Sequence, residues 1–292
     1  MARVVLVHGI WNRQSKMTSQ RAASLLAQSL ELRLAAGFKS ARLSHVPAPQ
    51  LTMAYYADLL ANEAEVQSDD ERSLEELSQA ELADIWGWLV AAGVPEPVEP
   101  QAAWLAPVRQ GLGWLVRHHG GEGLPSRVLR EVTERLERVV VSLITDIDAY
   151  TARPAVRRAV RERVAAALRE QQPQVVVAHS MGSLVAYETL HAFPELKVEL
   201  FVTLGSPLGL PALARKLEPA LRQRKGTRPA GVGTWINIAD AGDLVAVPPE
   251  LGGMFPVDLH ATASIGFLNP HTLGGYLADG VTAAAIAPYL SS

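Results

Sequence analysis

Short, almost wholly apolar runs recur along the chain and stand out against longer mixed segments. Arg3–Val7, Val175–Ala178, Leu200–Leu204 and Trp235–Ala239 are the clearest, with a weaker one at Leu51–Tyr56. Apolar residues on both faces of so short a run suit strands of a parallel sheet covered by helices on each side. Between these runs the apolar positions recur with helical spacing. Thr18 to Ala36 has an N-cap threonine and a stop signal at Gly37, while Val128–Tyr150 and Ala155–Gln171 read as long amphipathic helices. Strand–helix alternation of this kind predicts an α/β fold with a doubly wound, mostly parallel sheet.

One region breaks the alternation. From Asp58 to Gly123 the chain carries acidic helical turns ("DDERSLEELSQAELADIW"), a proline-rich joint ("VPEPVEP") and a tryptophan-rich segment ending in "HHGGEG". At this length, and interrupted by prolines, it reads as a helical insertion at 58–123 within a single domain spanning 1–292. Trp86, Trp88, Trp104 and Trp114, four of the six tryptophans, fall here. They suit a lid over an apolar substrate, the contact of a homodimer, or plain packing of the insertion on the sheet. The adjacent histidines of "HHGGEG" point apart on a helix or strand, so no metal site is expected there. The acidic run Asp69–Glu76 reads as a solvated helix start.

Composition narrows the function. Of 292 residues, 48% are hydrophobic and 20% charged, and the net charge is −3. An ordinary globular balance with scattered arginines gives no case for nucleic acid or an anionic membrane surface as partner. The absence of cysteine excludes disulfides, thiolate metal sites and a cysteine nucleophile, and fits a reducing compartment. The N-terminus lacks the pattern of a secretory signal, and no apolar stretch approaches the ~20 residues of a membrane span. These features predict a soluble cytoplasmic protein without stable membrane insertion.

The chemistry concentrates at Ala178-His179-Ser180-Met181-Gly182, between an apolar run and the helical "SLVAYETL". A serine at such a strand-to-helix corner either caps the helix or is presented by a nucleophile elbow, where small flanking residues let the backbone fold back on itself. Three further elements favour the elbow. His8-Gly9 closes the first strand and leaves a loop whose N–H groups, from Ile10 or Trp11, could join that of Met181 in an oxyanion hole. Asp240 and Asp243 follow the Trp235 strand, with Asp243 preferred as the triad acid and Asp240 as an Asx-turn residue. Downstream, only His260 and His271 can be the base. His271, on a loop before the last helices, is preferred over His260, which reads as an edge-strand residue. His179 is expected to point away from the elbow, and His8 to be a buried hydrogen-bonding residue. The order Ser180…Asp243…His271 is that of α/β hydrolases.

Through "VHGIWN", "YYADLL" and "AHSMGS" the chain resembles the α/β-hydrolase superfamily, and within it the lipase- or esterase-like bacterial serine hydrolases. The resemblance covers nearly the whole chain apart from the insertion. It implies the hydrolase sheet without its first two strands, a Ser180–Asp243–His271 triad, an oxyanion hole at Ile10 or Trp11 with Met181, and no cofactor or metal. Ala178 stands where the family pattern has its first glycine. The expected activity is cleavage of a small-molecule acyl ester. The same triad would serve a thioesterase, an acyltransferase or a serine peptidase, and the fold alone would serve a non-catalytic binding protein.

Overall fold

The strand Val175–His179 is buried at every residue, as its unbroken apolar run requires. It lies near the centre of the sheet in a computed structural model that describes residues 3–10, 12–14, 16–60, 72–96, 103–119, 123–266 and 271–290. In chain order the strands are β1 (Arg3–Val7), β2 (Gln50–Ala54), β3 (Val175–His179), β4 (Val198–Leu204), β5 (Val232–Asp240) and β6 (Leu259–Ala263). They form one all-parallel sheet in the order β2-β1-β3-β4-β5-β6. The helices are α1 (Ser19–Ser40), α2 (Ala57–Leu60), α3 (Gln79–Ala91), α4 (Leu105–His118), α5 (Ser126–Thr151), α6 (Pro154–Gln171), α7 (Met181–Ala192), α8 (Pro211–Ala214), α9 (Leu273–Ala278) and α10 (Gly280–Ile286). The fold is thus α/β, with helices on both faces of the sheet.

The two-residue period of a strand divides the core. Val5, Val7, Val176 and Ala178 join one apolar cluster with α3 to α7. Val4, Leu6, Val175 and Val177 join the other with α1, α9 and α10. The inner strands therefore carry apolar residues on both faces, which is why the runs stood out. The insertion helices α3 and α4 belong to the same cluster as the sheet, through buried Leu82, Ile85, Trp88, Leu112 and Leu115. Local signals place their ends: Ser78 accepts from Glu81 N at 3.2 Å while the Glu81 carboxylate accepts from Ser78 N at 2.7 Å, a capping box that starts α3.

Two expectations change. The first helix begins as expected, with Thr18 accepting from Arg21 N, but runs through Gly37 to Ser40. A Cβ at position 37 would lie 2.2 Å from the carbonyl oxygen of Leu277, so this glycine admits α9 rather than ending α1. β6 was not among the apolar runs, because an edge strand is covered less and its burial is only partial. No helix among the described residues is long and apolar enough to cross a membrane.

The order of strands reverses between β1 and β3. β1 passes to β2 on one side, and the chain re-enters on the other side at β3. In open parallel sheets a crevice opens at the carboxyl ends of the two strands flanking such a switch. Those ends are His8-Gly9 and His179-Ser180.

Candidate active site

Ser180 joins β3 to α7 with φ 53° and ψ −132°, a conformation that a residue with a Cβ enters only under constraint. Its neighbours supply the constraint. Ser180 N donates to Leu204 O at 3.0 Å, while Ser180 O accepts from Ser183 N at 2.9 Å and from Ser183 Oγ at 2.6 Å. Ser183 is in turn held by Ser206 at 2.7 Å. Both backbone groups of Ser180 are therefore committed. Its hydroxyl is buried, has no hydrogen-bond partner and does not cap α7. Helix capping does not account for this serine.

The glycines explain how tightly the corner closes. A Cβ on Gly182 would sit 2.4 Å from the carbonyl oxygens of both Val7 and His8, so α7 starts directly against the end of β1. A Cβ on Gly9 would sit 2.6 Å from Ser180 Cβ. The loop after β1 thus touches the serine. Ile10, buried, is the next residue. Met181 opens α7, where the first-turn N–H groups have no intrahelical acceptor. Trp11 lies outside the described residues.

Beyond the end of β5, His271 and Asp243 form a buried pair. His271 Nδ1 lies 3.0 and 2.9 Å from the two Asp243 oxygens. A carboxylate accepts, so Nδ1 carries a proton, and in the neutral ring Nε2 is the nitrogen with the lone pair. That Nε2 is buried and without a partner. Asp243 is held by two more donors, Val245 N at 3.0 Å and the Tyr276 hydroxyl at 2.7 Å. The Tyr276 oxygen itself accepts from Asp240 N at 3.0 Å, so one phenol ties the acid to the end of β5. Burial beside two carboxylates pushes the Tyr276 phenol far above its ordinary value, keeping it a donor.

The two rejected candidates have structural roles. The Asp240 carboxylate accepts from Gly242 N at 2.7 Å and from Ile265 N at 2.5 Å, holding the turn that aims Asp243. His260, on the edge strand β6, accepts at Nδ1 from the Asn237 amide at 3.0 Å. His8 donates from Nδ1 to Gly9 O at 2.8 Å and accepts Tyr56 N at Nε2, while its ring stacks on Tyr56. Burial lowers its pKa to about 4, so it is a neutral fixture of the β1 end.

His179 is the departure. It makes no bond to Ser180, yet its ring centroid lies 4.7 Å from that of His271, and its buried Nε2 also lacks a partner. Burial, then the neighbouring His271 and His8, holds its pKa well below the usual imidazole value. Of the five buried side-chain polar atoms found unpartnered among the described residues, three are here: Ser180 Oγ, His271 Nε2 and His179 Nε2. Native interiors rarely leave such atoms unsatisfied, and their concentration at one crevice marks where a polar ligand atom or water belongs.

Sequence reasoning missed Tyr276 and the position of His179. A tyrosine in "HTLGGYL" has no signal that separates it from a core residue, since its role depends on a carboxylate 33 positions earlier. Among the described residues no group of three or more His, Asp or Glu is arranged to hold a metal ion. His118 of "HHGGEG" instead stacks on Trp114 and bonds its carbonyl oxygen, while Gly120–Glu122 lie outside the described residues. Comparison of the chain with protein-family models, curated proteins and solved structures finds no match.

Proposed function

We propose that the protein is a serine hydrolase of the α/β-hydrolase type that cleaves a carboxylic ester through an acyl-enzyme. The observation that carries this reading is the pair of prepared groups on either side of His179, which adjoins Ser180 in the chain and whose ring centroid lies 4.7 Å from that of His271. Ser180 has its backbone fixed and its hydroxyl free, and His271 has Nδ1 fixed by Asp243 and Nε2 free. Ser180 Oγ and His271 Nε2 are not bonded to each other, as is common before substrate closes such a contact.

In the proposed reaction His271 Nε2 takes the hydroxyl proton as Ser180 Oγ bonds to the ester carbonyl carbon. Asp243 stabilises the imidazolium, and the N–H groups of Met181 and of the Ile10 loop receive the oxyanion. The imidazolium then protonates the departing alkoxide. Water, deprotonated by His271, attacks the acyl-serine and releases the acid with Ser180 restored. The lack of cysteine in the sequence supports a reducing, cytoplasmic setting.

Treatment of the pure protein with a fluorophosphonate, followed by peptide mass spectrometry, tests the mechanism. One adduct, on Ser180, is expected. Absence of an adduct on protein shown to be folded would remove the hydrolase reading and leave a binding protein on the same fold.

A further inference from the structure

A second cavity lies away from the serine, between α7 and the segment that joins α8 to β5. It measures about 290 Å³ and is lined by Tyr187, Pro219, Ala220, Arg222, Lys225, Gly226 and Thr227. Two of the lining side chains are cations and none is a carboxylate. The nearest acid in sequence, Glu218, is turned to the other side, where it pairs with Arg161 at 2.7 Å and Arg157 at 3.1 Å. From Pro219 to Arg228 the chain holds Arg222, Arg224, Lys225 and Arg228 with no acidic residue, in a protein whose net charge is −3.

The backbone forces the two lining cations together. Arg222 and Lys225 exchange both N–H···O bonds, at 2.9 Å each, across a two-residue turn. Directly opposed like charges destabilise such a pair. The turn residues Gln223 and Arg224 have φ of 49° and 62°, the left-handed region that glycine or asparagine would enter more cheaply. Strain of this kind persists where surrounding structure holds it, and clusters at ligand clamps. The Lys225 ammonium is anchored on Gly253 O and keeps two protons for a ligand. The Arg222 guanidinium has neither a hydrogen bond nor an ion pair within the described structure. Opposite them the Tyr187 oxygen accepts Thr227 N at 3.4 Å, which fixes the far wall.

We infer that this cavity binds the phosphate group of an organic phosphate monoester, with Arg222 as a two-pronged donor and Lys225 as the opposing charge. A dianion placed between the two side chains would turn their mutual repulsion into two charge-assisted contacts. The concavity and its volume suit a phosphorylated small molecule or a lipid headgroup better than a flat anionic surface. Because Tyr187 stands seven residues after Ser180 on α7, roughly 10 Å along the helix, this site is separate from the serine crevice. It requires no hydrolase activity.

Calorimetric titration of the whole protein with glycerol 3-phosphate tests the inference. Saturable one-to-one binding is expected, weakened about tenfold or more by Arg222→Ala and by Lys225→Ala. Arg222→Lys should recover only part of the loss, because an ammonium lacks the fork. Arg127→Ala, on the exposed start of α5, should bind as the parent does. Both cavity cations are exposed, so circular dichroism should report unchanged folding in these variants. In parallel, sedimentation with phosphatidylcholine vesicles containing phosphatidic acid distinguishes the sources. Pelleting that depends on Arg222 assigns the phosphate to a lipid, and binding of the soluble ester alone assigns it to a metabolite. No saturable binding of either probe, or binding indifferent to both alanine variants, overturns the site.

Discussion

Two buried carboxylates do opposite things. Glu188, on α7 itself, is fully buried and accepts from Arg157 Nε at 2.8 Å, the Tyr150 hydroxyl at 2.7 Å and Glu218 N at 2.9 Å. Its partner Arg157 is also held by Lys216 O at 2.7 Å and by Glu218. Asp243 is buried as deeply and also has three donors, His271, Tyr276 and Val245. The difference lies one bond further out. Arg157 is a permanent cation with no proton to exchange. His271 is an imidazole whose far nitrogen is left without a partner. A closed network rigidifies a fold, whereas a network with one open, titratable end can do chemistry.

The comparison is broken most strongly by Asp243→Asn. The amide can no longer hold the needed tautomer of His271, so ester turnover should fall by about 10⁴-fold, with little change in the unfolding midpoint. Retained turnover under a steady-state assay would show that the open end is not reactive. Glu188→Ala should give the reverse. It leaves a buried guanidinium uncompensated, so denaturant titration should show a loss of about 3–5 kcal/mol while turnover per folded molecule is kept. A smaller effect sharpens the picture. Tyr276→Phe removes one of three donors on Asp243, and kcat should drop roughly tenfold with KM nearly constant. A merely structural Tyr276 would instead lower the unfolding midpoint and leave kcat per folded molecule unchanged.

Much of this was readable before any fold was known, and for definite reasons. β1 and β3 to β5 announced themselves because strands buried on both faces carry mostly apolar residues on each. The serine corner was legible because its small residues sit within five consecutive positions, and the chain order of the serine, acid and histidine candidates survives in one dimension. The choice of Asp243 over Asp240 could be argued, but only the turn made by Asp240 with Gly242 and Ile265 gives a reason for it. Gly37 shows the opposite case. As a letter it marks a helix end, and only the approach of Leu277 turns it into a packing position within α1.

The sequence by itself determined what local chemistry determines: the parallel strands, the strained serine corner, the chain order of the triad candidates and the lack of any thiol. Tertiary structure decided what depends on residues far apart in the chain. It set the Gly9 loop against Ser180, His179 beside His271 and Tyr276 on Asp243. It also decided which of two buried carboxylates was left with an open partner. Local periodicity is a property of neighbours. Whether a polar atom finds a partner depends on every element packed around it, and that is settled only when the sheet and its helices close.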